Sequence, residues 1–296
     1  MPVTIAPLHP LFAGEVSGVD ITQPLSKADV AAIEAGMDKY AVLVFHDQPV
    51  TDAQQMAFSQ NFGALEDARG GNVTKPEDKR LATGMNDVSN LGKDGKPLAR
   101  DSRQRLFNLG NSLWHSDSSF RATPAKYSLL SARVVNKKGG NTEFADMRAA
   151  YDALDDETKR EIEPLVCEHS LMYSRGSLGF TDYSDEEKEM FRPVLQRLVR
   201  THPVHRRKSL YLSSHAGRVL GMSLPEGRLL LRDLNEHATQ PEFVYVHRWT
   251  LHDFVMWDNR QTMHRVRRYD EGQPRDMRRA TVAGTEPTVA QQQAAE

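Results

Sequence analysis

Near the N-terminus, Val30, Ile33 and Met37 recur at helical spacing behind Ser26-Lys27-Ala28-Asp29, which reads as a capping box, until the apolar run 41–45 takes over. The predicted order is helix, then buried strand. Thr51-Asp52-Ala53-Gln54 opens a second helix with Met56 and Phe62 inward and Gly63 placed to end it. A short helix is expected after Asp146, and a longer one from Ser223-Leu224-Pro225-Glu226, carrying Leu229, Leu230 and Leu234. Period-two alternation, or β-branched and aromatic enrichment, marks strands at 127–135, 209–213, 242–249, 252–257 and 279–285.

Residues 64–112 hold neither period. With GG, GKDGKP and many charges, they read as a long mobile insertion of the kind that forms lids and substrate-binding segments. The tail EPTVAQQQAAE, residues 286–296, has too little apolar content to pack and is expected to be flexible. Strands separated by long connections, with helices early and as insertions, suggest one domain: an antiparallel β-sandwich or barrel wrapped by helices rather than a βαβ series.

Composition narrows the function. An apolar fraction of 39% over 296 residues supports one sizeable core. A formal net charge of −2 and a pI of about 6.6 argue against a basic field for nucleic acid or an anionic membrane, so a small molecule is the expected partner. MPVTIAPLHPLFAGEV lacks the basic start and apolar core of a signal peptide, and no run approaches the roughly 20 apolar residues of a membrane span, so a cytoplasmic setting is expected. The single cysteine, Cys167, excludes an internal disulfide and reads as a buried, inert thiol.

The candidate chemistry begins at Leu113-Trp114-His115-Ser116-Asp117-Ser118-Ser119-Phe120. On a strand, His115 and Asp117 would face the same side and present an imidazole and a carboxylate to one ion. By itself the pair reads more readily as a hydrogen-bonded polar patch, and His264, after Trp257-Asp258-Asn259, more readily still as a satisfied core histidine. Together they make two histidines and one carboxylate, a set that leaves an octahedral ferrous ion three open positions. Arg275 and Arg279 follow, four residues apart and so expected on one face. Two planar guanidinium forks beside such a site imply two acidic ligands, although the run Arg260–Arg279 could also be a solvated basic face.

These segments together resemble the taurine dioxygenase and 2,4-dichlorophenoxyacetate dioxygenase family of Fe(II)- and 2-oxoglutarate-dependent oxygenases. The likeness runs from Pro7-Leu8-His9-Pro10-Leu11-Phe12, through residues 41–45 and Asn61-Phe62-Gly63, to LWHSDSSF, GNTEFADMRAAY, MWDNRQTMHR and RRAT, and is nearest the phenoxyacetate branch. The resemblance implies a mainly β fold with surrounding helices, a double-stranded β-helix (jelly roll, cupin-like). It implies Fe(II) on His115, Asp117 and His264, with Thr142 and Arg275 on the distal carboxylate of 2-oxoglutarate and Trp257 packed beside it. Arg279 would bind the substrate anion, Asn111 would belong to the substrate pocket, and the insertion 64–112 would be the lid, with Lys96 a second contact to the substrate carboxylate.

The implied reaction uses O2 and 2-oxoglutarate to hydroxylate the carbon between the ether oxygen and carboxylate of a phenoxyacetate. Phenol, glyoxylate, succinate and CO2 result, from a homo-oligomeric enzyme with no nucleic-acid or membrane partner. A taurine, alkyl-sulfonate or alkyl-sulfate oxygenase is the alternative, because guanidinium holds sulfonate as readily as carboxylate. A non-catalytic cupin-like binding protein is a further one. No G-x-S-x-G elbow supports a serine hydrolase.

Overall fold

A computed structural model describes residues 2–67, 73–74, 76–81 and 84–292. Its main sheet has seven strands in the order Thr4–Pro7, Gly14–Ser17, Val42–Phe45, Phe254–Asp258, Tyr127–Val134, Asp276–Val282 and Asn86–Asp87. Every pairing is antiparallel except that of Gly14–Ser17 with Val42–Phe45. Facing this sheet is a second one, Val244–His247, Thr142–Asp146 and Thr262–Val266, also antiparallel. The two make the expected jelly roll, and helices cover the outside.

Strand parity divides the core. Val42, Val44, Val255 and Trp257 point between the two sheets and meet Phe144 of the second. Their neighbours Leu43, Phe45, Phe254 and Met256 point outward, against Ile33, Met37 and Phe58 of the covering helices. Both faces of the central strands are therefore dry, which is why they read as unbroken apolar runs.

The first helix, Lys27–Tyr40, is capped by Ser26 Oγ, which accepts from Asp29 N–H and donates to the Asp29 carboxylate. The second, Asp52–Gln60, has a full capping box between Thr51 and Gln54. Its inward face is Gln55, Phe58 and Ser59 rather than Met56, and it ends before Phe62 and Gly63. Gln55 is fully buried because Nε2 donates to the carbonyls of Leu129 (3.0 Å) and Arg278 (2.8 Å), a bonding role that apolar periodicity does not register. In Leu224–Ala238 the buried stripe is Gly227, Leu231, Leu234 and Ala238, while Leu229 faces outward.

Strand boundaries also move. The segment expected at 279–285 is Asp276–Val282, and 209–213 contracts to Lys208–Leu210. Parts of the insertion 64–112 are built into the fold: Asn86–Asp87 is an edge strand, and Arg103–Asn108 is a helix with Phe107 buried. Arg80 forks onto both Asp87 and Asp276, tying this segment to the sheet. Residues 68–72, 75 and 82–83 of the expected mobile stretch lie outside the described residues. Tail residue Thr288 is buried, donating to Gln196 Oε1 (2.6 Å) and accepting from Arg197 N–H (3.0 Å), so 286–292 is partly anchored. No helix among the described residues is long and apolar enough to cross a membrane. Cys167 is buried, and that burial pushes its thiol up to about 12, as an inert thiol requires.

Candidate active site

His115 is not on a strand. It forms an isolated antiparallel bridge with His264, on Thr262–Val266, through reciprocal N–H to carbonyl bonds of 3.0 and 2.8 Å. Asp117 lies in the following turn, where Ser118 takes a φ of 57°. The ligand pair expected from strand parity is thus assembled by a bridge and a left-handed turn. The two imidazoles come within 4.2 Å, centroid to centroid.

His115 Nε2 stands 3.9 Å from Asp117 Oδ1, and His264 Nε2 stands 3.7 Å from Asp117 Oδ2. Ligand atoms sharing an ion at about 2.1 Å are roughly 3 Å apart at right angles, so the three donors have already converged on an ion-sized space. The Leu113 carbonyl can only accept, so His115 Nδ1 donates to it (2.7 Å) and the lone pair on Nε2 is left free. Burial lowers the imidazole of His115 to about 4 and that of His264 well below its ordinary value, keeping both in the neutral, metal-binding form. Burial alone would raise the Asp117 carboxyl, but Arg279, the two imidazoles and Ser128 outweigh it and hold it at about 2. The set carries one negative charge on a hard oxygen and two borderline nitrogens, which suits a divalent first-row ion.

Asp117 is itself clamped. Its N–H donates to Asn259 Oδ1 (3.1 Å), and Oδ2 accepts from Ser128 Oγ (2.7 Å). Asn259 closes the loop by donating to Ser128 Oγ (2.9 Å) and accepting from Trp257 Nε1 (3.1 Å). Glu66 accepts from Ser118 Oγ (2.7 Å), pinning the turn from the other side. Ser128, Asn259 and Glu66 were not legible as site residues, since nothing local in the sequence links positions 66, 117, 128 and 259.

One cavity is lined by Asn111, Thr142, Trp257, Arg275 and Arg279 together with both histidines. Thr142 Oγ1 accepts from Trp249 Nε1 (2.9 Å), so its own hydroxyl hydrogen remains available to donate. Arg275 is 4% exposed and has no carboxylate partner among the described residues; its guanidinium lies over the Tyr269 ring at 5.1 Å. At Gly140, with φ of +72°, a Cβ would come within 2.7 Å of that guanidinium. Arg275 lies one residue before the strand Asp276–Val282, beyond a register shift between Asp276 and Met277, yet both arginines line the cavity. Arg279 Nη1 donates to Asp117 Oδ1 (2.6 Å), while its buried Nε has no partner among the described residues.

Lys96 is not brought to this group. Its side chain is exposed on a turn closed by Gly92 N–H to the Lys96 carbonyl (2.8 Å), away from the residues lining the cavity. The other arginines of the basic run are dispersed: Arg260 forks onto Asp258, Arg265 pairs with Glu143, and Arg278 with Asp52 and Asp276.

The family described as taurine catabolism dioxygenase TauD, TfdA family matches residues 4–281. The chain is 49% identical over 284 residues to the alpha-ketoglutarate-dependent 2,4-dichlorophenoxyacetate dioxygenase of Cupriavidus pinatubonensis, covering 95% of this chain and 98% of that protein. It is 38% identical over 288 residues to the (S)-phenoxypropionate/alpha-ketoglutarate-dioxygenase of Sphingobium herbicidovorans, covering 95% and 94%. The crystal structure of AAD-2 in complex with Mn(II) and N-oxalylglycine superposes with a TM-score of 0.96 and 78% sequence identity over 97% of this chain and 100% of that one. With the two histidines and two arginines lining one cavity and Asp117 converging on the histidines beside it, the match over residues 4–281 is decisive: the chain belongs to the taurine catabolism dioxygenase TauD, TfdA family.

Proposed function

We propose that this chain hydroxylates the carbon between the ether oxygen and the carboxylate of a phenoxyacetate such as 2,4-dichlorophenoxyacetate. It is a 2-oxoglutarate-dependent non-haem iron dioxygenase. The observation that carries the reading is the single cavity in which a His-Asp-His donor set meets two separate guanidiniums. Fe(II), with 2-oxoglutarate and O2, supplies the oxidising power that turns C–H into C–OH while oxoglutarate becomes succinate and CO2.

The residues have separate tasks. His115, Asp117 and His264 hold the iron. Arg275, a buried cation without a counter-ion among the described residues, and the free hydroxyl hydrogen of Thr142 take the distal carboxylate of oxoglutarate, with Trp257 as a wall. Arg279 forks onto the substrate carboxylate and Asn111 contacts the same molecule, which fixes the carbon to be oxidised near the iron. The hydroxylated product is a hemiacetal. Its O–H proton passes to the ether oxygen as that C–O bond breaks, leaving phenol and glyoxylate.

Residues 64–112 serve as the lid in this reading, supported by Val88, Ser89, Asn108 and Asn111, which line the cavity. Lys96 reaches substrate only when its turn folds inward. The reading extends to a homo-oligomer working in the cytoplasm, and sedimentation checks the subunit count.

The test is anaerobic loading with Fe(II) and 2-oxoglutarate, then an oxygen pulse in the presence of aryloxyacetates, aryloxypropionates or sulfonates. Phenol release is expected. Sulfite release instead would move the assignment to a sulfonate oxygenase, and oxygen uptake independent of iron and oxoglutarate would overturn it. His115→Ala should lose both metal binding and oxoglutarate decarboxylation; retention of both would sink the triad.

A further inference from the structure

Arg175, on the helix Leu171–Gly176, is a buried cation that none of the roles above uses. Its Nε donates to the Phe107 carbonyl, Nη1 to Ser174 Oγ and Nη2 to Asn111 Oδ1, each at 3.2 Å. The guanidinium also lies over the Phe107 ring at 4.8 Å. The approach requires glycine at 110, where a Cβ would come within 2.4 Å of the guanidinium. Although burial lowers Arg175 to about 10, it remains charged at neutral pH, and no carboxylate among the described residues lies within ion-pair distance of it.

A guanidinium can only donate, so the Asn111 atom facing it must be the oxygen. A flipped amide would set two donors against each other. The Asn111 amide is therefore locked with Nδ2 left over, and that nitrogen has no protein partner among the described residues, while Asn111 lines the cavity beside His115 and Arg279. Arg279 is also donor-only. The substrate end of the cavity thus offers hydrogens and no acceptor from either side chain.

We infer that Asn111, oriented by Arg175, is a fixed donor that selects substrates carrying an acceptor oxygen next to the carbon attacked. The ether oxygen of an aryloxyacetate is such an acceptor. The inference rests on the reading that Arg279 holds the substrate carboxylate. An analogue with CH2 in place of the ether oxygen would strand the Nδ2 hydrogens away from water, the kind of mismatch that a hydrogen-bonding pocket rejects strongly. Arg175 is a positioning residue, since it acts only through Asn111.

The experiment compares phenoxyacetate with 3-phenylpropanoate, matched in charge and length, by calorimetric titration of the protein loaded with Mn(II) and 2-oxoglutarate under argon. The wild type should bind phenoxyacetate about tenfold tighter. Asn111→Ala should bring the ratio near one with Mn(II) affinity unchanged. Arg175→Met should do the same, whereas Arg175→Lys, which still offers only donors, should keep the preference. Equal binding of the two ligands by the wild type, or a preference that survives Asn111→Ala, overturns the inference. A preference lost in Asn111→Ala but kept in Arg175→Met overturns the part given to Arg175; if that variant does not fold, Asn111→Ala still decides for Asn111. Failure of the wild type to bind either acid overturns the substrate reading itself.

Discussion

Two sets of arginines with little or no exposure sit on opposite terms with their surroundings. At the base of the second sheet, Arg148 forks onto Asp146 through two bonds of 2.9 Å and caps the carbonyls of Asp38 and Lys39, while Arg260 forks onto Asp258. Around the cavity, Arg275 and Arg175 are as deeply buried but have no carboxylate partner among the described residues, and Arg279 pairs with Asp117 through Nη1 only, its Nε without a partner among them. The first group is electrostatically closed and serves the fold. The second leaves positive charge uncompensated beside the cavity, where the proposed function puts its anionic ligands, at a cost in stability that the rest of the core offsets.

Mutation should separate the two groups. The largest expected loss of stability is for Arg148→Ala, which strands the Asp146 carboxylate: about 3–5 kcal/mol, read from chemical denaturation. Arg275→Met should do the reverse, leaving stability within about 1 kcal/mol or raising it while weakening 2-oxoglutarate binding by roughly 100-fold. A variant that lost both equally would erase the distinction. Arg279→Lys should keep iron but uncouple oxoglutarate consumption from product, because an ammonium lacks the fork; unchanged coupled turnover of acidic substrates would contradict its role.

The smallest effect belongs to pH. Burial would raise the Asp253 carboxyl, but the His247 imidazole 3.1 Å away and bonds from Thr250 and His46 hold it at about 2. Its folded-state value lies below the unfolded one, so its contribution is complete above about pH 5 and lost as the pH falls through about 2, a matter of about 2.5 kcal/mol. Asp253→Asn should flatten that part of the acid denaturation curve.

The helix-facing half of the core was legible because each residue there contributes by being apolar at the right period, as Ile33, Met37 and the run 41–45 do. The cavity-facing half was less so. The strands Thr142–Asp146 and Thr262–Val266 place Thr142 and His264 on the site, yet their polar residues break the alternation that would mark them, and neither was expected as a strand. His115 and Asp117 do converge, but not by strand parity, since bridge and turn replace the strand. Asn259, Ser128 and Arg175 act through partners up to 142 residues away, a distance over which one sequence carries no signal. Lys96 was tied to the pocket through the family's lid, and its position depends on that segment's path rather than on its own chemistry.

The reciprocal peptide bonds between His115 and His264 have a consequence for exchange of the metal. Two nitrogen ligands that share a backbone bridge behave as one bidentate chelator, whose arms cannot drift apart independently. If one arm lets go of a bound ion, the bridge holds it within reach and it rebinds, so residence time would depend on the local unfolding of two peptide groups as well as on the strength of either bond to nitrogen.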